Sequence, residues 1–407
     1  MFYPRWLSDP LRRACDAHPV VVLTGARQVG KSTLLRHAEP FASWRYRSLD
    51  DFDTLRQAEE DPRSLWGGSD QVVLDEVQRV PRLLSAVKLE VDERERRVRF
   101  VLSGSANLLL LKQVSESLAG RAVYLTLGPM TLGELHRVAP PDLLWRALSG
   151  EWPEEHVLAE PPADPVPLLL RGFMPSLLAL PATEWVNWWS GYVATYLERD
   201  LRQLAQIENL LDFRRLMELL ALRCGKLLNQ AELARDADLS HPTAHRYLAL
   251  LEATCLYERL PPYLANRSAR LVKAPKALWA DPGLAVFLAG YYDEESLRHA
   301  RELGSFFEAM IWAHVRTITS LWTPPARLYH WRERSGDEVD LVVEHGRRLL
   351  GIEIKMAPRV SYEETQGLRR FLEAHPQASG GLLVYGGSEV RRLGERIVAV
   401  PWSMLTG

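Results

Sequence analysis

The segment Gly25-Ala26-Arg27-Gln28-Val29-Gly30-Lys31-Ser32 constrains this chain more than any other. It matches the pattern G-x-x-x-x-G-K-[S/T], follows the apolar run Val20-Val21-Val22-Leu23 and precedes a helical stretch over 33–37. A loop between a buried strand and a helix turns backbone N–H groups onto phosphate oxygens, at a helix end whose dipole favours anions. Gly25, Gln28, Val29, Gly30, Lys31, Ser32 and Thr33 are therefore the expected nucleotide-binding residues. Lys31 is expected to reach the β- and γ-phosphates of ATP, and the Ser32 hydroxyl to ligate Mg²⁺. Short β-rich runs at 20–23, 44–49, 72–74, 99–102 and 122–127 alternate with helical patterns. That alternation predicts an α/β domain with a parallel sheet over 1–135.

The second half of such a site is Val72-Val73-Leu74-Asp75-Glu76. An apolar strand ending in two carboxylates offers Asp75 to the Mg²⁺ shell and Glu76 to the attacking water. The run Phe100-Val101-Leu102-Ser103-Gly104-Ser105 reads as a buried strand ending in small polar residues, so Ser103 or Ser105 is expected to sense the γ-phosphate. Arg121 follows a helical pattern over 108–120. It is either a finger aimed at a neighbouring subunit's γ-phosphate or a charge complementing the helix dipole.

With 407 residues the chain exceeds what one core usually covers, and 47% apolar with 25% charged residues is a soluble globular balance. Its longest apolar runs are too short to cross a bilayer, so no membrane partner is expected. The N-terminus lacks the order of a signal peptide. Cys15, Cys224 and Cys255 are isolated, which fits a reduced, cytoplasmic location. A net charge of −2 excludes a global positive field, so any contact with DNA must use a local patch.

A Pro-rich, acidic stretch over 139–165 predicts a linker or an irregular excursion, with a helical linker region over 136–215 and a further domain over 216–290. A short helix over 231–238 turns Leu233 and Ala234 inward, and Ser240 is a good N-cap for a second helix running to 254. That helix presents His241, Thr243, His245 and Arg246 early, as a groove-reading helix-turn-helix does. Arg259, Arg267, Arg270, Lys273 and Lys276, with Tyr263 and Asn266 among them, read as a basic wing for phosphates. The alternative is a lid or a protein contact.

Three strands are expected over 328–332, 339–344 and 349–355. Glu353 and Lys355 lie two apart and leave one face of the third strand, with Asp340 on its neighbour and Glu308 on a preceding helix over 306–315. Asp340, Glu353 and Glu308 are expected to hold Mg²⁺ through hard oxygens, with Lys355 polarising a water. Gln366 could join them. The alternatives are a nuclease fold that only binds, or the polar face of an ordinary hairpin.

Taken in order, these residues resemble a prokaryotic family of AAA-type ATPases with a restriction-endonuclease-like C-terminal domain. The resemblance rests on Thr24-Gly25-Ala26-Arg27-Gln28-Val29-Gly30-Lys31, Leu74-Asp75-Glu76-Val77-Gln78, Leu102-Ser103-Gly104-Ser105 and Ser117-Leu118-Ala119-Gly120-Arg121. It continues through Tyr196-Leu197-Glu198-Arg199-Asp200-Leu201, Lys273-Ala274-Pro275-Lys276, Asp281-Pro282-Gly283-Leu284, Glu338-Val339-Asp340-Leu341 and Ile352-Glu353-Ile354-Lys355. It implies a P-loop AAA-type ATPase domain, a helical and winged-helix middle, and a PD-(D/E)xK nuclease-like α/β domain over 300–407. The expected function is an ATP-hydrolysing, DNA-binding protein, a motor or nuclease in DNA processing, repair or defence. Expected partners are DNA and further copies of the chain, a hexamer being one form. The alternative is a slow regulatory switch whose C-terminal domain is an inactive nuclease fold.

Overall fold

The computed structural model describes residues 2–104, 118–195, 209–264, 270, 273–333 and 335–406. Ser105, Asn266, Arg267, the Tyr196–Leu201 motif and most of the helix expected over 108–120 lie outside them. The chain divides into two units. One comprises Met1–Met130, Met174–Ser176 and Ala249–Leu256, and the other comprises Thr131–Phe173, Leu177–Leu248 and Tyr257–Gly407.

In the first unit every expected strand forms: β1 (Val20–Thr24), β2 (Arg45–Ser48), β3 (Gln71–Asp75), β4 (Arg99–Ser103) and β5 (Ala122–Thr126). They build one parallel sheet in the order β2-β3-β4-β1-β5. Alternation explains the burial. Val20, Val22, Val72, Leu74, Phe100 and Leu102 pack on one face with Leu83, Leu84, Val87 and Val91 of the helix Leu83–Glu93. Val21, Leu23, Val73 and Val101 are as fully buried on the opposite face. A parallel sheet needs both faces covered, which is why these runs are apolar throughout rather than alternating. The register sets Leu23 of β1 beside Ser103 of β4 and Leu74 of β3 beside Leu102. The C-terminal ends of β1, β3 and β4 thus carry the loop before Lys31, the Asp75-Glu76 pair and Ser103 along one sheet edge.

The second unit holds a seven-stranded sheet in the order β6-β13-β14-β12-β11-β10-β9. Its strands are β6 (His156–Val157), β9 (Arg327–Arg332), β10 (Glu338–His345), β11 (Arg348–Lys355), β12 (Gly380–Tyr385), β13 (Glu389–Gly394) and β14 (Ile397–Pro401). The expected antiparallel trio β9-β10-β11 is present, and β12 and β14 continue it in parallel. The stretch expected as a linker contributes the edge strand β6, paired with β13, because an extended segment satisfies its backbone groups by joining an open edge. Leu368, Phe371 and Leu372 of the helix Gln366–Ala374 seal one sheet face against Val339, Val342 and Leu383.

Between the edge strand and that sheet in sequence come the helices Leu210–Ala221, Gln230–Asp236 and His241–Ala253. A two-stranded antiparallel ribbon follows, β7 (Tyr257–Leu260) with β8 (Lys276–Trp279). Asn229 caps the second helix by accepting from the N–H groups of Ala231 and Glu232, and Ser240 Oγ accepts from Thr243 N–H at 3.2 Å. These caps are the ones the sequence asks for, since Asn and Ser satisfy the first unpaired N–H groups. Among the described residues no helix is long and apolar enough to cross a membrane.

Candidate functional site

The phosphate loop owes its shape to Gly25. Its φ is +143°, and a Cβ there would fall 2.1 Å from the Leu127 carbonyl oxygen, so no other residue fits. Gln28 and Gly30 also take positive φ, at 63° and 96°. The helix Lys31–His37 starts directly after the loop. Lys31 is buried, and its ammonium donates to the carbonyls of Gly25 and Ala26, each at 2.9 Å. Burial pulls its pKa below the usual lysine range, against the opposing pull of Glu76 and Asp75. The loop's own oxygens and the two carboxylates are thus what holds the charge in a desolvated place.

Asp75 closes β3 and is buried, accepting from the Tyr46 hydroxyl and from the Glu76 backbone N–H. Glu76 sits at φ +60°, a left-handed conformation uncommon for a residue with a side chain. That twist releases Glu76 from the strand into a short 3₁₀ turn, Val77–Arg79, where Gln78 Nε2 donates to its carboxylate. Burial raises the Glu76 pKa, with the Gln78 bond pulling the other way and Asp75 adding to the rise. A carboxylate lifted in this way is a better proton acceptor at neutral pH. Ser103 is fully buried and its hydroxyl has no partner among the described residues. Such an orphan hydroxyl at the sheet edge suits a group that meets a ligand oxygen.

Sequence reasoning missed three supports. Arg5 is buried and ties the loop to the turn after β5, donating to Val29 O at 2.7 Å, Gly128 O at 2.8 Å and Pro129 O at 3.1 Å. Tyr46 holds Asp75, and Gln78 holds Glu76. Only Gln78 had a sequence signal, its place in the quoted run after Asp75-Glu76. Arg121, expected as a finger or a helix-end charge, forms a two-pronged pair with Asp92 at 2.7 and 2.8 Å. Its guanidinium also donates to Ala119 O at 3.1 Å.

In the second unit the register Leu341↔Ile352 sets Asp340 of β10 beside Glu353 of β11, and Glu308 joins from the helix Leu303–Ser320. All three carboxylates come together as expected. The surprise is Lys276. Read in the sequence as part of a phosphate-binding wing, it is buried and donates to Glu308 Oε1 at 2.6 Å and Asp340 Oδ1 at 3.0 Å. Lys355 donates to Glu353 Oε1 at 2.6 Å, and Asp340 Oδ2 accepts from Ile354 N–H at 2.9 Å. Burial lowers the Lys276 pKa, but Asp340 and Glu308 outweigh it and leave the ammonium firmly protonated. Burial first, and Asp340 next, push both Glu308 and Glu353 up.

These residues do not fit the Mg²⁺ expected of them. Glu308 and Asp340 each give an oxygen to the Lys276 ammonium and Glu353 gives one to Lys355, and among the described residues no group of three or more His, Cys, Asp or Glu is disposed to hold a metal ion. Gln366 does not join the cluster, for its amide donates to Asp337 at 2.7 Å. Arg270 also departs from the wing reading. It is buried, paired with Glu344 and stacked over Tyr263 and Tyr329 at 4.2 and 4.8 Å. A guanidinium enclosed by two rings and a carboxylate is spoken for.

Comparison with known proteins bears on the N-terminal domain. Residues 17–136 match the family model described as an AAA domain. Residues 164–295 and 303–405 match two models described as domains of unknown function, DUF8612 and DUF4143. Uncharacterized protein Rv2008c of Mycobacterium tuberculosis is 33% identical over 96% of this chain and 82% of its own length. Uncharacterized protein Mb2031c of Mycobacterium bovis gives the same figures, 33%, 96% and 82%. Among solved structures, the Walker-type ATPase PABY2304 of Pyrococcus abyssi aligns over 69% of this chain and 94% of that one, at 16% identity and a TM-score of 0.42. At 33% identity over nearly its whole length, the chain belongs to the same family as these mycobacterial proteins, and its N-terminal part is an AAA ATPase domain.

Proposed function

We propose that this protein binds and hydrolyses ATP at the edge formed by β1, β3 and β4, and that it couples this cycle to contacts with DNA. One observation carries the ATPase reading: a buried Lys31 in a glycine-shaped loop within the electrostatic reach of Asp75 and Glu76. Ser32 and Asp75 offer the hard oxygens that suit Mg²⁺, which would arrive with the nucleotide and neutralise phosphate charge. Glu76, lifted by burial and steered by Gln78, takes the proton of the attacking water. Ser103 meets the terminal phosphate through its free hydroxyl.

The DNA reading rests on the start of the helix His241–Ala253, where His241, His245 and Arg246 are exposed. Beside it lies a cleft of about 720 Å³ whose walls include His241, Arg259 and Lys273. With Arg270 and Lys276 committed elsewhere, Arg246 and Lys273 are assigned to phosphate contacts beside Arg259. Replacing both by alanine is expected to reduce the slope of log K against log salt by about 2 and to weaken binding to all sequences alike. The function itself is tested by the ATPase rate with and without single-stranded, duplex and branched DNA. Stimulation by any of these supports a DNA-coupled enzyme, and a slow rate indifferent to all of them supports a regulatory switch instead.

Two observations favour that second reading: the Arg121 pair, and the lysine at the C-terminal cluster. Arg121 is engaged by Asp92 of its own chain, and this favours the structural role over a finger waiting for a neighbour's phosphate. Arg121→Ala is therefore expected to keep its ATP turnover. A loss of roughly 10³-fold or more, restored by mixing with Lys31→Ala chains, would instead establish a shared site between subunits of a homo-oligomer.

A further inference from the structure

The cluster of Glu308, Asp340 and Glu353 has the carboxylate count of a divalent-ion site, yet a side chain holds the place of the ion. Lys276 Nζ stands 2.6 Å from Glu308 Oε1 and 3.0 Å from Asp340 Oδ1. Mg²⁺ takes oxygens at roughly 2.1 Å and keeps several waters, so it needs those same oxygens free and room for its shell. The seated ammonium takes one oxygen of Glu308 and one of Asp340 and fills the space between them, leaving Glu353 Oε2 as a buried oxygen without a partner among the described residues. Both Asp340 oxygens already have a partner, Oδ1 the Lys276 ammonium and Oδ2 the Ile354 N–H.

Nor is the lysine on a mobile tail. Lys276 opens β8, paired with Leu260 of β7 and bridged to Leu227 on its other side. Gly225 closes the Glu308 side: its φ is +73°, and a Cβ there would lie 3.3 Å from Glu308 Oε2. The Gly225 N–H donates to Ala277 O at 2.7 Å, fixing that backbone against the strand that carries Lys276. Backbone thus fixes the lysine from two directions, and the carboxylates reach it from a helix and a sheet strand.

We infer that Lys276 is the resident cation of this cluster, a built-in ammonium that takes the place of a divalent ion and closes the cluster to metals. It joins the ribbon β7-β8 to the helix Leu303–Ser320 and to β10 as a charged tie. Metal-assisted cleavage of a phosphodiester is then unavailable at these residues while Lys276 is seated. The inference stands apart from the ATPase reading, because ATP hydrolysis uses none of these groups.

The test is Mn²⁺ binding to the full chain without nucleotide, read by the paramagnetic resonance of free Mn²⁺. Each protein is compared with its Asp340→Asn counterpart, so that ions held elsewhere cancel. Wild type and Lys276→Arg are expected to bind no Mn²⁺ that depends on Asp340. Lys276→Met is expected to gain one ion per chain, lost again in Lys276→Met with Asp340→Asn. A wild type that binds one Asp340-dependent ion overturns the inference, and so does a folded Lys276→Met protein that binds none. If Lys276→Met fails to fold by circular dichroism, the wild-type and Lys276→Arg arms decide alone. Parallel ATPase rates show separately whether the N-terminal reading stands.

Discussion

Glu76→Gln is expected to lower ATP turnover by about 10²–10⁴-fold while leaving nucleotide affinity intact, the range for removing a positioned general base. Three features of the site make this the cleanest separation of binding from chemistry. Glu76 is released from β3 by its left-handed φ of 60°, so its side chain belongs to the turn rather than to the sheet. Its carboxylate accepts from Gln78, and a glutamine can still accept there through its amide oxygen. Burial raises its pKa, the direction that makes a carboxylate an effective proton acceptor near neutral pH. Lys31→Ala should behave in the opposite way and lose nucleotide binding itself, because the proposed reading assigns this ammonium to the β- and γ-phosphates. Calorimetric titration with ATP beside a phosphate-release assay measures both. A Glu76→Gln chain that binds no ATP would overturn the division of labour.

Lys276→Met is expected to cost about 3–5 kcal/mol of folding stability, the usual loss when one partner of a buried ion pair is removed. The lysine and its partners are nearly enclosed, with side-chain exposures of 7% for Lys276, 15% for Glu308 and 10% for Asp340. Taking away the ammonium leaves two carboxylates in low-dielectric surroundings without their nearest counter-charge. Adding Glu308→Gln and Asp340→Asn to Lys276→Met should recover most of the loss, since removing every charge of a buried pair is far less costly than removing one. Urea unfolding followed by circular dichroism, on the single and triple variants, measures both terms. A Lys276→Met chain within about 1 kcal/mol of wild type would show that solvent, not the lysine, carries these charges.

The two sites differ in how much of each was legible beforehand. The phosphate loop, the Asp75-Glu76 pair and Ser103 are contiguous runs set at the ends of apolar strands, and strand burial follows from residue type alone. The strand boundaries fell within a residue or so of those expected, and the parallel order brought the three loop ends to one edge. In the C-terminal cluster Glu353 and Lys355 were readable from the two-residue repeat of a strand, and Asp340 from the hairpin before it. Lys276 was not. Its charge, beside Arg259, Arg267 and Lys273, argued for a solvent-facing wing, and nothing local marked it as buried.

The sequence by itself determined the class of the N-terminal domain, the loop and strand-end residues gathered at its sheet edge and the three carboxylates of the C-terminal cluster, because each is written in short-range spacing. Tertiary structure alone decided which charges are free and which are committed. Lys276 lies 32 residues from Glu308 and 64 from Asp340, Arg121 lies 29 from Asp92, and Arg270 lies 74 from Glu344. Composition and periodicity describe each of these cations as available for a phosphate. Only the packing of distant elements brings a carboxylate to each, and at the buried Lys276 and Arg270 a paired charge is held far more firmly than a solvated one, whereas the more exposed Arg121 pair is held more loosely.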